Sequence, residues 1–460
     1  MTLWSPDLRK WGKPHYLAIV EALADDIRTG RLPVGTQLPP QRTLASQLDL
    51  NFTTVARGYV EAQRRGLVEG RVGQGTFVSD PARHARSAAS TRRGPVDFTM
   101  NLPPEPEDSA LLARMQASFK AIAADLPSLL RYQGFGGTES DKAAALSWLA
   151  RRGVQAPRDR LLICPGAHSA LSAILTTIAK PGEAICVERL TYPGVRALAA
   201  HLSFNLVDLP MDEQGVEPEA FAAACTRVAP RAIYLNPVLQ NPTTTTIRRA
   251  RREAIIEVAR RYAVAVIEDD AYGFVCPTPP PSFYALAPEI TYYVGGLAKC
   301  LGAGLRLAYL VASNARAALP LAGALRAGTV MASPITTALA TRWIEDGCAE
   351  AVVGFIRSES SARQTVARRL LPSELVRADP NGFHIWLSLP DGWTRAAFAS
   401  QARAAGLGVV GSDAFCAVGA APEAVRVCLG GMATRVEITN ALEVVAHVLE
   451  RSPALASSYI

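Results

Sequence analysis

Residues 291–306 read TYYVGGLAKCLGAGLR, a short β-prone run followed by a glycine-rich loop that carries one lysine, Lys299, and one arginine seven residues later, Arg306. A strand that ends in such a loop is leaving the edge of a sheet, and ligands of open α/β sheets gather beyond those edges. A lysine held there loses hydration, so its pKa falls and its amine becomes a nucleophile able to condense with an aldehyde, sheltered from the water that would hydrolyse the imine. Lys299 is therefore the candidate Schiff-base residue. Arg306, with its planar fork of N–H donors, suits the anchoring of a phosphate.

Working outward, LLIC, AICV, FNLV, AIYL, VAVI, TYYV and LAYLVA are short apolar runs separated by longer helical segments such as EAIIEVARRY. That alternation predicts an α/β fold with a mostly parallel central sheet flanked by helices. VAVI leads into EDDAY, so Asp269 and Tyr272 lie three residues apart just past a buried strand. Where the aldehyde sits on a pyridine ring, a carboxylate facing the ring nitrogen keeps it protonated and a tyrosine hydrogen-bonds the phenolic oxygen. Asp269 and Tyr272 fit those tasks; Glu268 and Asp270 are alternative acids, and only the D-x-x-Y offset favours Asp269. AIYL precedes NPVLQNPTTTT, which places Asn241 as a second donor to the same oxygen.

The first 80 residues have a different texture. Tyr16, Val20, Leu23 and Ile27 recur at helical spacing and Gly30 stops the run; QRTLASQL follows Pro39 and Pro40; Asn51 stands at the N-cap of FTTVARGYVEAQRR, closed by Gly66. LVEGRVGQGTFV then reads as a hairpin with its tip at Gly73, Gln74 and Gly75. Three helices and a hairpin make the order of a winged helix-turn-helix. Residues 81–95, PARHARSAASTRRGP, lack apolar periodicity and read as a flexible linker.

A chain of 460 residues exceeds what one hydrophobic core usually organises, and 49% apolar with 19% charged residues is a globular composition. The net charge of +7 is concentrated early: ten basic against eight acidic residues in 1–80, then four arginines and no acid in 81–95. That asymmetry suits a polyanionic partner and equally a solvated basic linker. The eight cysteines form no CxxC and sit mostly in apolar runs, which argues against a disulfide framework or a zinc site. No run is long enough to span a bilayer and the N-terminus lacks a secretory apolar stretch, so no membrane partner and a cytoplasmic location are expected.

Residues 38–78 resemble the GntR family through almost every turn. The resemblance implies that the third helix lies in the major groove of double-stranded operator DNA and the wing tip touches backbone or minor groove, with Arg42, Thr53, Thr54, Arg57 and Gln74 as the contacting side chains. Asn51 serves equally well as a plain cap and the arginines as solvated surface; the complete three-helix-plus-wing order favours the DNA reading. Residues 96–460, taken string by string, resemble fold-type I aminotransferases and their regulatory relatives, which bind pyridoxal 5'-phosphate, and the resemblance implies a smaller C-terminal α+β subdomain over roughly 315–460. By the same resemblance LLICPGAHSAL supplies phosphate-binding amides at Gly166, Ala167 and His168; ERLTYPG supplies Tyr192 as the ring-stacking residue; LRYQGFGG supplies Tyr132, reaching the phosphate of a partner in a head-to-tail homodimer; and AVRVCLGG supplies Arg426 for a substrate or effector carboxylate. The chain departs from its relatives at Gly296 and Ala298, where they carry serines, and at Thr244, where their NPTG motif has glycine.

Joining the two modules resembles the architecture of MocR-type regulators. The resemblance implies a transcription regulator in which an amino acid, amine or B6 vitamer engages the Lys299 centre and changes DNA affinity. Two alternatives remain at the level of sequence: a working aminotransferase with an appended DNA-binding domain, and a repressor whose large domain has lost the cofactor.

Overall fold

The computed structural model describes residues 4–12, 14–71, 75–79, 97–134 and 136–451. The chain divides into two compact units, residues 1–94 and 95–460. In the first, helices α1 (His15–Arg28), α2 (Gln41–Gln47) and α3 (Phe52–Arg64) are followed by strands β1 (Val68–Arg71) and β2 (Gly75–Val78), paired antiparallel. Asn51 caps α3, its side chain accepting from the Thr53 amide at 3.1 Å. One apolar face from each helix, with Val68 and Val78 of the hairpin, closes a small core around Ile19, Leu44, Val55 and Tyr59. Gly58 lets α3 approach α1: a Cβ there would lie 3.3 Å from the Tyr16 carbonyl oxygen. The Tyr59 hydroxyl donates to Pro39 O at 2.6 Å and so fixes the turn ahead of α2.

The second unit is built on a seven-stranded sheet. In chain order its strands are β3 (Leu161–Cys164), β4 (Ala184–Glu188), β5 (Asn205–Leu209), β8 (Ala232–Leu235), β9 (Ala265–Asp269), β10 (Thr291–Gly296) and β11 (Ala308–Val311), with a minor hairpin β6 (Met211–Asp212) and β7 (Gly215–Val216) between β5 and β8. The spatial order is β3-β11-β10-β9-β8-β4-β5. All seven apolar runs picked out in the sequence are strands of this sheet. β3, β8 and β11 are buried along their whole length, because helices cover both faces of a parallel sheet and leave no solvated side to alternate with. β11 alone runs antiparallel to its neighbours. β10 reaches it through a short loop with a single 3-10 turn, Ala303–Leu305, and a parallel return would need a long crossover.

A second sheet, β12 (Val376–Ala378), β13 (His384–Ser388), β14 (Val410–Gly411) and β15 (Ala424–Cys428), is antiparallel in the order β12-β13-β15-β14 and packs against helices Arg395–Ala404 and Arg435–Glu450. The subdomain around it is not the continuous block 315–460 expected from sequence. Ala318, Leu321 and Leu325 of helix Ala315–Thr329 pack into the core of the large sheet, whereas Phe98, more than two hundred residues earlier, is buried among Ile385, Val427 and Leu442. Apolar contacts, not chain order, draw the border.

Candidate functional site

Strand directions bring the loops together. The carboxyl ends of β10, β9, β8 and β4 lie side by side, and β3 stands beyond the reversed β11. Because β11 is reversed, its beginning lies at that same edge: Ala308 pairs with both Gly296 and Cys164. Arg306, two residues before Ala308, is thereby set next to Gly166, two residues after Cys164. Gly166 has φ +87° and opens helix Ala167–Ile178; a Cβ on it would come within 3.3 Å of the Arg306 guanidinium. Helix N-terminus, glycine and arginine form an anion-binding corner. His168 is exposed there, its pKa lowered by partial burial and by Arg306.

Three consecutive acids at the end of β9 alternate in direction, which resolves their roles. Glu268 forms a fully buried ion pair with Arg252 (3.1 Å) and accepts from the Phe283 and Tyr284 amides. Asp270 pairs with buried Arg152 (2.7 Å) and accepts from the Tyr293 hydroxyl at 2.9 Å. Both are neutralised by buried arginines, although Asp270 Oδ1, like one oxygen of Asp269, has no hydrogen-bond partner among the described residues. Asp269 accepts from the Tyr234 hydroxyl at 2.7 Å through Oδ2, while its buried Oδ1 has no hydrogen-bond partner among the described residues. Burial lifts its pKa to about 6, Tyr234 opposing and Asp270 assisting, and Lys299 is near enough to act on it.

Lys299 is half-buried and its amine donates to the backbone oxygen of Asn101. Burial lowers its pKa to about 8; Cys428 and Asp269 oppose, Arg426 and Arg306 add to the drop. The Tyr272 hydroxyl accepts from Asn101 Nδ2 at 2.8 Å, and burial pushes its pKa up. Arg426, on β15 and 5% exposed, donates through Nη1 to Asn241 Oδ1 at 2.8 Å and through Nη2 to Thr99 O, while its Nε has no partner among the described residues. Tyr192, at the head of helix Pro193–Leu202, has its pKa raised by burial and then by Asp269, with Arg306 and Arg426 opposing, so its ring stands among those groups. Tyr132 stands apart at 86% exposure.

Sequence reasoning missed the residues that hold these groups in place. Asn236 Nδ2 donates to Asp269 O at 2.7 Å and its Oδ1 accepts from the Asn241 amide at 2.9 Å, joining the ends of β8 and β9. Glu188 is fully buried at the end of β4, accepts from the Asn236 amide at 3.0 Å, and is pushed up to about 8 by burial. His384 lies 5.8 Å from the Tyr272 ring and is kept neutral by burial and Arg426, its pKa falling to about 3. A hydroxyl inside an otherwise apolar strand, as at Tyr234, and an amide directly after it, as at Asn236, were the available signal, since a buried polar group needs a partner. Asn101 gave none.

The donor set fits pyridoxal 5'-phosphate. An orphaned buried carboxylate oxygen awaits a ring N–H, a lysine of lowered pKa stands nearby, and an anion corner accepts a phosphate. The hydroxyls usual before the lysine are absent, yet room for one exists: a Cβ on Gly296 would make only ordinary contact, 3.5 Å, with Ala167. Thr244 takes the left-handed φ of +64° that glycine would adopt more cheaply, a strain on the order of 1–2 kcal/mol.

In the first unit Thr53 is exposed and its hydroxyl donates to Asn51 Oδ1 at 3.1 Å; Thr54 is half-buried behind it. Arg57 is exposed and stacks 4.1 Å over the Tyr16 ring, while Arg42 lies 5.9 Å from the Phe52 ring. These four cluster about the start of α3. Gln74 lies outside the described residues.

Residues 94–445 match the family model for aminotransferase class I and II, and residues 15–78 match that for bacterial regulatory proteins of the gntR family. The chain is 30% identical over 450 residues, 97% of each chain, to the HTH-type transcriptional regulator YdeF of Bacillus subtilis. It is 26% identical to the vitamin B6 salvage pathway transcriptional repressor PtsJ of Salmonella typhimurium, covering 81% of this chain and 84% of that one. In fold it is similar to the α-aminoadipate aminotransferase LysN of Thermus thermophilus, solved with N-(5'-phosphopyridoxyl)-L-leucine, at a TM-score of 0.70 and 23% identity over 80% of this chain and 95% of that chain. Among the described residues no helix is long and apolar enough to cross a membrane. A gntR-type reader followed by an aminotransferase class I and II domain, in a chain matched end to end by an HTH-type regulator, places this protein in the aminotransferase class I and II family as a transcription regulator of the MocR type.

Proposed function

We propose that the large domain binds pyridoxal 5'-phosphate at Lys299 and uses it to sense an amino acid, amine or B6 vitamer, whose arrival alters the affinity of the gntR-type unit for double-stranded operator DNA. The observation that carries this reading is Asp269: a buried carboxylate that, unlike its neighbours Glu268 and Asp270, has no arginine partner among the described residues, with one oxygen bound by Tyr234 and the other unpartnered, which costs stability and is tolerated where a ligand supplies the missing donor. When bound, the group supplies an aldehyde that condenses with primary amines and a ring that withdraws electrons once its nitrogen is protonated.

The chain's own residues do the rest. Asp269 would hold the proton at the ring nitrogen, Tyr272 and Asn241 would serve the phenolic oxygen, and Tyr192 would stack on the ring. Gly166, Ala167 and His168 would line the phosphate, the amides of Ala167 and His168 donating while that of Gly166 stays on Cys164 O at 2.7 Å, with Arg306 beside them. Tyr132, almost wholly exposed in one chain, reaches the phosphate of a second chain in a head-to-tail homodimer. Arg426 takes the effector carboxylate in place of Asn241 Oδ1 and Thr99 O. An amine with a pKa of about 8 has a sizeable neutral fraction at physiological pH, as condensation requires. Sensing is then linkage: an effector that binds two states unequally shifts DNA affinity, and DNA shifts effector affinity by the same factor. The name of the Salmonella relative supports a B6 vitamer among the effectors.

A second reading, a working aminotransferase, is favoured by the intact grouping of Lys299, Asp269, Tyr272 and Arg426. One preparation tests both. Purified protein incubated with pyridoxal 5'-phosphate should turn yellow, lose the colour on Lys299→Ala, and show amino-acid-dependent spectra that change with DNA present. Sustained turnover of an amino acid with a 2-oxo acid at enzyme-like rates would replace the sensing reading, and a colourless protein would end both.

A further inference from the structure

Residues 97–104 run through the site without helix or repeating strand, and they occupy the polar groups a ligand requires. Asn101 O takes the Lys299 amine, Asn101 Nδ2 takes the Tyr272 hydroxyl, and Thr99 O takes Nη2 of Arg426. The Cys428 thiol donates to Asn101 Oδ1 at 3.4 Å. Three of these four groups are the ones assigned above to cofactor and effector, so strap and ligand compete for the same donors.

The strap is also mechanically tied. Its flanks bridge at Asp97 to Gly408 and at Pro104 to Gly431; the Cys428 amide donates to Phe98 O at 3.2 Å and the Gly431 amide to Pro103 O at 3.0 Å. It fits because Gly430 has no side chain: a Cβ there would lie 1.6 Å from Leu102 O. Upstream, Asp97 follows within two residues on the linker 81–95 that leads from the DNA reader. Whatever loosens residues 97–104 therefore acts on the covalent root of the reader domain.

We propose that residues 97–104 transmit site occupancy to the reader: an effector carboxylate displaces Thr99 O from Arg426, engagement of Lys299 and Tyr272 displaces Asn101, and the freed strap slackens the linker's anchorage. Asn101 is the positioning residue of this device. The inference rests on the cofactor reading above and adds the route by which occupancy leaves the site.

The test is hydrogen–deuterium exchange on the full chain, alone, with pyridoxamine 5'-phosphate, and with N-(5'-phosphopyridoxyl)-L-leucine, which adds a carboxylate. The amides of Thr99 and Leu102, bonded at 2.8 Å to Asp97 Oδ1 and Met100 O, and that of Cys428 report strap release. The leucine conjugate should speed their exchange by about tenfold or more, as expected for losing one or two hydrogen bonds, and the carboxylate-free compound, which reaches Tyr272 but leaves Thr99 O on Arg426, should do less. Asn101→Ala should exchange fast without ligand and bind the conjugate several-fold more tightly, because a competitor is gone; a merely structural loss would weaken binding. Borohydride trapping and peptide mapping of pyridoxal 5'-phosphate provide the separate control. Trapping at Lys299 in that control, together with conjugate binding that leaves the strap as protected as before, overturns this inference alone, and failure to trap at Lys299 overturns both it and the cofactor reading.

Discussion

Asp269→Asn separates the cost of the site from its use. Burial raises the Asp269 pKa from its ordinary 3.8 to about 6, which at 1.36 kcal/mol per pH unit means that holding the charged form in the fold costs about 3 kcal/mol. A raised native pKa leaves stability intact below about pH 4 and removes it as pH rises to 6, with the full cost present above. Asparagine keeps the acceptor for Tyr234 and removes the charge, but leaves a buried N–H₂ without an acceptor, which returns roughly 1–2 kcal/mol. The cofactor-free variant should therefore be about 1–2 kcal/mol more stable than wild type at pH 8, lose that advantage near pH 4.5, and bind pyridoxal 5'-phosphate at least about tenfold more weakly. Thermal melts of the large domain at the two pH values, paired with absorbance titrations, give both numbers. A variant that is less stable at pH 8 and still takes up the cofactor as wild type does would refute the assignment of Asp269 as the ring's partner.

Other perturbations act on single elements. Glu268→Gln strands Arg252 in the core, so the large domain should lose about 3–5 kcal/mol while the melting of residues 1–94 is unchanged by calorimetry. Gly296→Ser fits the available space and restores a hydroxyl beside the helix N-terminus; pyridoxal 5'-phosphate should bind about tenfold tighter and pyridoxal no tighter, as read by spectral titration. Arg57→Ala should cost the first unit only about 0.5–1 kcal/mol of cation–π stacking on Tyr16 but weaken DNA binding; an unchanged affinity for operator fragments at low salt would remove α3 from the groove.

Much of this was legible because buried parallel strands write themselves as continuous apolar runs, and chemistry sits where those runs end. The loop after β10 and the DNA-reader helices were readable for that kind of local reason. Only the D-x-x-Y offset favoured Asp269 over Glu268 and Asp270, since what sets the three apart is Arg252, on the helix just before β9, and Arg152, in the turn after helix Glu139–Ala150, neither of which is marked in the sequence as an ion-pair partner. Asn101 was invisible for the same reason: its partners Tyr272, Lys299 and Cys428 lie far along the chain, and no periodicity marks a residue in an irregular strap. Phe98 moved a subdomain border because an apolar side chain in the irregular run VDFTMNLPP carries no signal of which core it will join.

The place of β3 in the large sheet bears on how the chain is made. β3 emerges first among the seven strands, yet its only ladder partner among the described residues, β11, ends at Val311. At about 5–20 residues per second a ribosome needs on the order of 10–30 s to deliver that partner. Throughout that interval the wall of the anion corner has an open edge, while every residue of the first unit's core, Trp4 to Val78, has already been synthesised. Each newly synthesised copy thus passes through a period in which the first unit is fully translated and the sheet of the second is still under construction.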